Sequence, residues 1–352
     1  MNSFCFHGTF FMKNGRFTLV DGLRGIAASS VVLFHCVEGH HVDHLLDALP
    51  AVVRQTVECG YLGVWIFFAL SGFVIAHSLY GKSLSVSDFG RFILKRSLRL
   101  DIPYWTTIAL TIAYTIASAH IVKDKGPSGF SAGQIIAHVF YLQDLLHFQP
   151  ISAVFWTLCL EIQFYLIYAV IIRAGITGIT IACVVSLLAP LGLMPSLPHG
   201  VFLKFWYAFL VGVAAYWAWR RNDLRYKFAG FVTILVIIAI MRGNPTILVS
   251  AMTATLLCAA GILGNIYSAM NWRWLQFMGG ISYSLYLTHN MAIGLTFRIL
   301  SLIIKSHTAL VELAFLVMAL AATIGGAFVF WWLVERPSSN LSKKITLIPS
   351  RI

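Results

Sequence analysis

Residues Leu19–Glu38 read LVDGLRGIAASSVVLFHCVE. The stretch is mostly small or apolar and, at about 20 residues, is long enough to cross a bilayer as a helix. It nevertheless carries Arg24 and His35, and an ionisable side chain inside a membrane span is costly enough to make function the first hypothesis. Spaced 11 positions apart, the two share nearly one helical face and lie roughly 16 Å apart along the axis, at about 1.5 Å per residue. One helix thus holds a permanent cation near one membrane surface and a titratable imidazole toward the other. The alternative is structural: Arg24 snorkels to the headgroups and His35 is a satisfied interior polar group.

The rest of the chain agrees with a membrane setting. Of its 352 residues 59% are hydrophobic and 11% charged, a balance that excludes a soluble domain and implies a polytopic membrane protein. The net charge of +12 fits basic loops facing the cytoplasm rather than nucleic-acid binding. Cys5, Cys36, Cys59, Cys159, Cys183 and Cys258 show no CxxC or Cys/His ligand spacing, so no metal site is expected. Cys36 and Cys59 flank one expected external loop; free thiols are expected, with a pairing as the alternative. The first apolar span lacks a small-residue cleavage site, so no cleavable signal is expected.

Hydropathy predicts an all-α transmembrane bundle of about ten helices, near 18–37, 61–80, 102–122, 154–172, 175–194, 200–219, 228–241, 246–267, 275–301 and 308–333. The fifth and seventh are the weakest signals. Pro103 opens the third at a first-turn position that tolerates proline. An even count puts both termini on one side, and segments on that side hold 17 of the 25 Lys and Arg residues against 7 opposite, Arg24 being the remaining one. The positive-inside rule then makes both termini cytoplasmic. The expected organisation is a cytoplasmic leader over 1–17, a membrane-embedded domain over 18–337 and a basic cytoplasmic tail over 338–352.

With that orientation Arg24 lies near the cytoplasmic surface and His35 toward the external one. Lys95, Arg96 and Arg99 crowd one side of a helix entering the membrane beside Arg24. They read either as positive-inside signal alone or as a clamp for a phosphate-bearing cytosolic ligand, a task suited to arginine. In WTLCLEIQFYLIY, Glu161, Tyr165 and Tyr168 share a face with Thr157 one turn back. A buried carboxylate needs a partner, functional or structural. Ser282, Tyr283, Tyr286 and His289 form a polar stripe, which is equally the signature of helix–helix glue. Ser71-Gly72 reads as a small-residue packing point rather than a nucleophile, since no base neighbours it in sequence.

At these residues the chain resembles the acyltransferase 3 family of integral-membrane O-acyltransferases. The matching segments are VDGLRGIAASSVVLFH (20–35), GVWIFFALSGFVI (63–75), KRSLRLDIPYW (95–105), WTLCLEIQFYL (156–166), ISYSLYLTH (281–289) and WWLVERP (331–337), in family order. The resemblance implies a ten-helix bundle in the cytoplasmic (inner) membrane that takes an acyl group, usually acetyl, from cytosolic acyl-CoA. It implies a carbohydrate or glycolipid hydroxyl as acceptor, no metal and no nucleic acid, and centres activity on Arg24 and His35. Two departures are visible. Ile162 stands where many relatives carry a second acidic residue, leaving Glu161 to do any carboxylate work alone. Asp101 follows the basic segment and is expected to offset one of its cations. Some relatives also carry an appended soluble domain; with about 15 residues after the last motif, such a partner domain is expected to be a separate protein.

These readings combine into one expected mechanism. Arg24, Lys95, Arg96 and Arg99 hold the phosphates, and His35 is general base for the acceptor hydroxyl. Glu161 orients His35 or the sugar. Tyr286 or His289 serves the oxyanion, with Ser71 and Tyr165 as further substrate contacts. Acyl transfer through His35 itself is the covalent variant. The competing classes are a secondary transporter, which predicts paired repeats that are absent, and a non-catalytic membrane subunit of a polysaccharide-synthesis machine.

Overall fold

A computed structural model describes residues 16–82, 85–121, 129–195, 200–306 and 308–346. Most of the expected leader, Cys5, Lys123, Lys125, Pro198 and Arg351 lie outside the described residues. The described chain is all-helical, with no sheet. Its helices are α1 (Thr18–Glu38), α2 (Asp43–Ala48), α3 (Ala51–Glu58), α4 (Gly63–Leu79), α5 (Val86–Ile121), α6 (Ala132–Val139), α7 (Trp156–Ile171), α8 (Gly175–Ser186), α9 (Trp206–Arg220), α10 (Arg225–Arg242), α11 (Pro245–Ile262), α12 (Arg273–Gly280), α13 (Ser282–Ile303), α14 (Ala309–Phe330) and α15 (Arg336–Lys343).

Six stretches among the described residues are long and apolar enough to cross a membrane: 18–38, 51–79, 156–186, 222–242, 245–262 and 309–343. The expected fourth and fifth spans fall in one of these, interrupted at Gly175, whose φ of +63° no L side chain adopts readily. The remaining expected spans fall on α5, α9 and the α12–α13 pair. At 15 residues α9 is short for a span of about 20. Helices α5 and α13 are long enough, at 36 and 22 residues, but carry polar and charged side chains that turn inward. The interior site is therefore built jointly by apolar stretches and by these more polar helices.

Three expectations are corrected. The ninth span is not one helix: it breaks at Ile281 into α12 and α13. Pro103 does not begin a helix but sits inside α5, which starts at Val86 and runs unbroken through the basic segment. The segment 38–60, expected as a loop, contains α2 and α3. Its anchor is Glu312 of α14, a buried carboxylate that bonds the His44 ring at 2.7 Å and accepts from the Leu45 backbone N–H at 2.9 Å. Cys36 and Cys59 are free thiols.

Local chemistry explains the element boundaries. Asn244 caps α11, its Oδ1 accepting from the Thr246 N–H at 3.0 Å, with Pro245 in the first turn, where a missing donor costs nothing. Thr308 caps α14 in the same way.

Packing follows the rules of a bilayer, where apolar area gives helices no reason to associate and close backbone approach does. The windows in 18–38 and 51–79 are 56% and 61% buried, against 28% in 156–186, 222–242 and 309–343. So α1 and α4 are central, while α8, α10 and α14 present wide faces to lipid. Helices α4 and α9 touch through paired glycines. A Cβ on Gly72 would lie 1.8 Å from the Phe209 carbonyl oxygen, and one on Gly212 would lie 1.9 Å from that of Ala69. Phe68 and Phe164 stack on Phe209, at 4.4 and 4.5 Å between centroids, and so tie α7 to this pair.

Candidate active site

The central helices enclose a cavity of about 160 Å³. Helix α1 contributes Asp21 and Arg24, α4 Ser71, α5 Arg96 and Arg99, α7 Thr157, Glu161 and Tyr165, and α13 Tyr283 and Tyr286. Seven of the ten residues given a role in the expected mechanism (Arg24, Ser71, Arg96, Arg99, Glu161, Tyr165 and Tyr286) thus meet in one space drawn from five helices. His35, His289 and Lys95 do not line it.

Glu161 organises the cavity. Ser71 Oγ donates to Glu161 Oε1 at 2.6 Å, and the Tyr165 hydroxyl donates to the same oxygen. The two hydroxyls are themselves 2.8 Å apart. Tyr165 reaches Glu161 because i and i+4 share a helical face. Ser71 reaches it because the glycine pair draws α4 inward. The packing point and the polar contact are therefore consecutive residues: Gly72 packs on Phe209 while Ser71 meets the carboxylate. Tyr168, expected on the same face, instead accepts from Trp217 Nε1 at 3.4 Å, outside the cavity.

The cations divide by partner. Arg24 lies 3.9 Å from Asp21, one turn below it, and Arg16 pairs with the same carboxylate. Arg96 places its guanidinium carbon 4.6 Å from the Tyr165 ring centroid, a cation–π contact that aims it over the Glu161 cluster. Neither Arg96 nor Arg99 forms an ion pair among the described residues. Asp101 does not offset them as expected: it accepts from Ser97 and, at 2.8 Å, from the Tyr141 hydroxyl. It is the nearest hydroxyls that take up its lone pairs.

Two acidic residues of the cavity went unremarked as site residues in the sequence. Asp21 carries a visible signal, three positions before Arg24 on the same helix. Glu335 lies in the WWLVERP segment that matches the family's closing motif, but nothing in its spacing ties it to this site. It follows the last apolar run and enters the cavity because Trp331–Glu335 is a π-helical turn, a widening that re-aims side chains and recurs at functional sites. Its Oε2 accepts from the Ser284 backbone N–H at 3.1 Å and from the Ser284 hydroxyl.

His35 lies beyond Tyr286. The Tyr286 hydroxyl is held at 2.7 Å by Thr157 Oγ1 and donates to the Val154 carbonyl at 3.0 Å. Its ring packs 5.8 Å from that of the buried His289, which stands 4.8 Å from the His35 ring. His35 Nδ1 lies 2.9 Å from the Val31 carbonyl and so carries the hydrogen; the Nε2 lone pair is available, with Glu38 Oε2 at 3.7 Å. His289 repeats the pattern: Nδ1 lies 2.8 Å from the Tyr286 carbonyl, and Nε2 has no hydrogen-bond partner among the described residues.

The sequence profile of the acyltransferase 3 domain matches residues 18–332, nearly the whole bundle. The chain belongs to the acyltransferase 3 family. Among its relatives, protein 2 of the picA locus in Rhizobium radiobacter is 40% identical over 103 residues, 29% of this chain and 47% of that protein. YrhL of Bacillus subtilis is 26% identical over 327 residues, 77% of this chain and 47% of YrhL. Peptidoglycan O-acetyltransferase OatA of Listeria monocytogenes is 24% identical over 340 residues, 80% of this chain and 50% of OatA. The chain thus spans about half the length of these curated relatives. No solved structure is a significant match. It is a multi-pass membrane member of that family by its profile match and its candidate spans.

Proposed function

We propose that this protein is an O-acetyltransferase of the cytoplasmic membrane that moves an acetyl group from cytosolic acyl-CoA to a hydroxyl of a cell-envelope carbohydrate or glycolipid. Ten helices cross the bilayer in this reading, with both termini cytoplasmic. The observation that carries it is the pair Arg96 and Arg99, which line the cavity beside Arg24 without an ion pair of their own. Half-buried arginines that line a cavity without a carboxylate partner suit an anionic ligand, and their planar donors suit phosphate. The matched family is one of acyl transfer, and OatA acts by name on peptidoglycan. These facts favour transfer chemistry over a transporter or a scaffold subunit.

When bound, acyl-CoA supplies an activated thioester carbonyl. The chain's own residues do the rest. Arg24, Arg96 and Arg99 hold the phosphates at the cytoplasmic end. Glu161, held by Ser71 and Tyr165, positions the donor within the cavity that the arginines line. His35 Nε2 takes the proton of the acceptor hydroxyl as that oxygen bonds to the acyl carbon. The carbon–sulfur bond breaks, and the imidazolium returns the proton to the departing thiolate. Tyr286 and His289 separate the arginine end from His35, so the acyl carbon must reach past them.

The test uses purified full-length protein in nanodiscs with radiolabelled acetyl-CoA and cell-envelope glycans from a strain lacking the gene. Label should pass to the glycan. His35→Ala should reduce transfer by about 10²–10⁴-fold, the usual contribution of a positioned imidazole, with an unchanged gel-filtration profile. Undiminished transfer by that variant overturns the mechanism.

A further inference from the structure

A second cleft, of about 790 Å³, is lined by the later part of α13, beyond His289 in the chain. Its walls are α5, the 150–153 stretch before α7, and the later turns of α13. Helix α13 links the two spaces: Tyr283 and Tyr286 face the arginine cavity, whereas Asn290, Gly294 and Arg298 face the cleft. His289 lies between these sets. Asn290, at the inner end of the cleft, directly follows His289 in the chain, although neither imidazole lines the cleft; the size of the cleft suits a ligand of a few sugar rings.

The lining has a definite chemistry. Thr111, Tyr114, Thr115, Ser152, Asn290 and Ser301 offer hydroxyls and an amide. The Tyr114 hydroxyl lies where a Cβ on Gly294 would come within 3.3 Å of it, so the tyrosine lies close against α13. The charged lining is Arg298 and Lys305, with His41 beside them stacked on Phe297 at 4.4 Å; no carboxylate lines the cleft among the described residues. Arg298 Nη1 is buried and has no hydrogen-bond partner among the described residues. In the proposed topology this face is external, where the positive-inside rule gives no reason for two cations on one wall.

We infer that this cleft binds the acceptor and selects for an acidic one, a glycan bearing a carboxylate or a phosphate that Arg298 and Lys305 engage while the polar wall holds its hydroxyls. The inference rests on the acyl-transfer reading for the word acceptor, and on the cleft alone for the selectivity. A buried guanidinium donor without a partner costs stability that an anionic ligand relieves, and charge-assisted bonds are the strong ones.

Binding is measured without acyl-CoA, so that it stands apart from turnover. Full-length protein in nanodiscs is titrated with trigalacturonate, with its neutral methyl ester, and with a short poly(glycerol phosphate), at low and high salt. At least one anionic probe should bind about tenfold or more tighter than the methyl ester, a difference of about 1.4 kcal/mol, and the preference should shrink in high salt. Arg298→Gln should abolish it, Arg298→Lys should retain part of it, and Lys305→Gln, at an exposed position, should weaken it without affecting folding. The trigalacturonate and phosphate arms tell carboxylate from phosphate recognition. Equal binding of the methyl ester, absence of binding by both anionic probes, or an Arg298→Gln variant that keeps the preference overturns the inference. Anion-selective binding without any acetyl transfer would instead sink the acyl-transfer reading and leave the cleft assignment standing.

Discussion

Arg99 and Lys95 lie one turn apart on α5, yet only Arg99 lines the cavity. Loss of a charge-assisted contact in a dry site costs about 1.5–3 kcal/mol, which is about 10–100-fold in affinity. Arg99→Gln should therefore raise KM for acetyl-CoA by about that factor, and Lys95→Gln, which lies off the cavity, should change it by less than about threefold. Steady-state release of CoA from the purified variants checks both; equal effects would return the basic segment to a topological signal only. At this scale much of the site was legible. Helical spacing put Glu161 with Tyr165; it also put Arg24 and His35 on one face, yet only Arg24 lines the cavity. Spacing within one helix was silent about Ser71, whose partner is 90 residues away, and about Glu335, whose partner Ser284 is 51 residues away.

Elements are held by backbone proximity more than by apolar area, and the glycine pair on α4 and α9 is the sharpest case. Gly72→Ala would drive a methyl into the Phe209 carbonyl at 1.8 Å, so the helices must separate. Overpacking of this kind costs about 1–3 kcal/mol and sometimes more. The variant should lower Tm in detergent by several degrees and weaken activity, because Ser71 shifts away from Glu161. Gly230→Ala on α10, where an added Cβ meets nothing within 4 Å, should leave Tm unchanged or slightly raised through its helix propensity. A Gly72→Ala protein as stable as wild type would show that α4 and α9 do not pack as described. Element boundaries also explain why the ninth span was misread. The run 275–301 is continuous in hydropathy, and no proline marks the break at Ile281; only the packing of α12 on α1 divides it.

For the whole molecule, the proposed orientation makes the arginine cavity cytoplasmic and the Arg298 cleft external. Single cysteines in a background without native thiols test it. Asp47→Cys, exposed on α2, should react with a membrane-impermeant maleimide added to intact spheroplasts. Lys343→Cys, exposed on α15, should react only after permeabilisation. The reverse pattern would invert the donor and acceptor sides, and labelling of both from outside would mean an odd number of crossings. The six stretches that qualify as spans by apolarity undercount the proposed ten for a physical reason. Helices α5 and α13 carry polar and charged side chains and are the less apolar for it, α9 is short at 15 residues, and α7 and α8 fall in one stretch.

Composition and hydropathy alone determined that this is a helical membrane protein, because a chain with 59% hydrophobic and 11% charged residues has no other way to bury its surface and satisfy its backbone. Periodicity within single helices determined which charges share a face. Six ordered motifs pointed to the family that the profile match bears out. Tertiary structure alone decided that Arg24, Ser71, Arg96, Arg99, Glu161, Tyr165 and Tyr286 share one cavity, that Asp21 and Glu335 join them, and that His35 stands behind Tyr286 with His289. The reason is range. Hydropathy and helical phase act over one or two turns, whereas a cavity among five helices depends on glycine contacts and a π-helical turn that fix how distant segments meet.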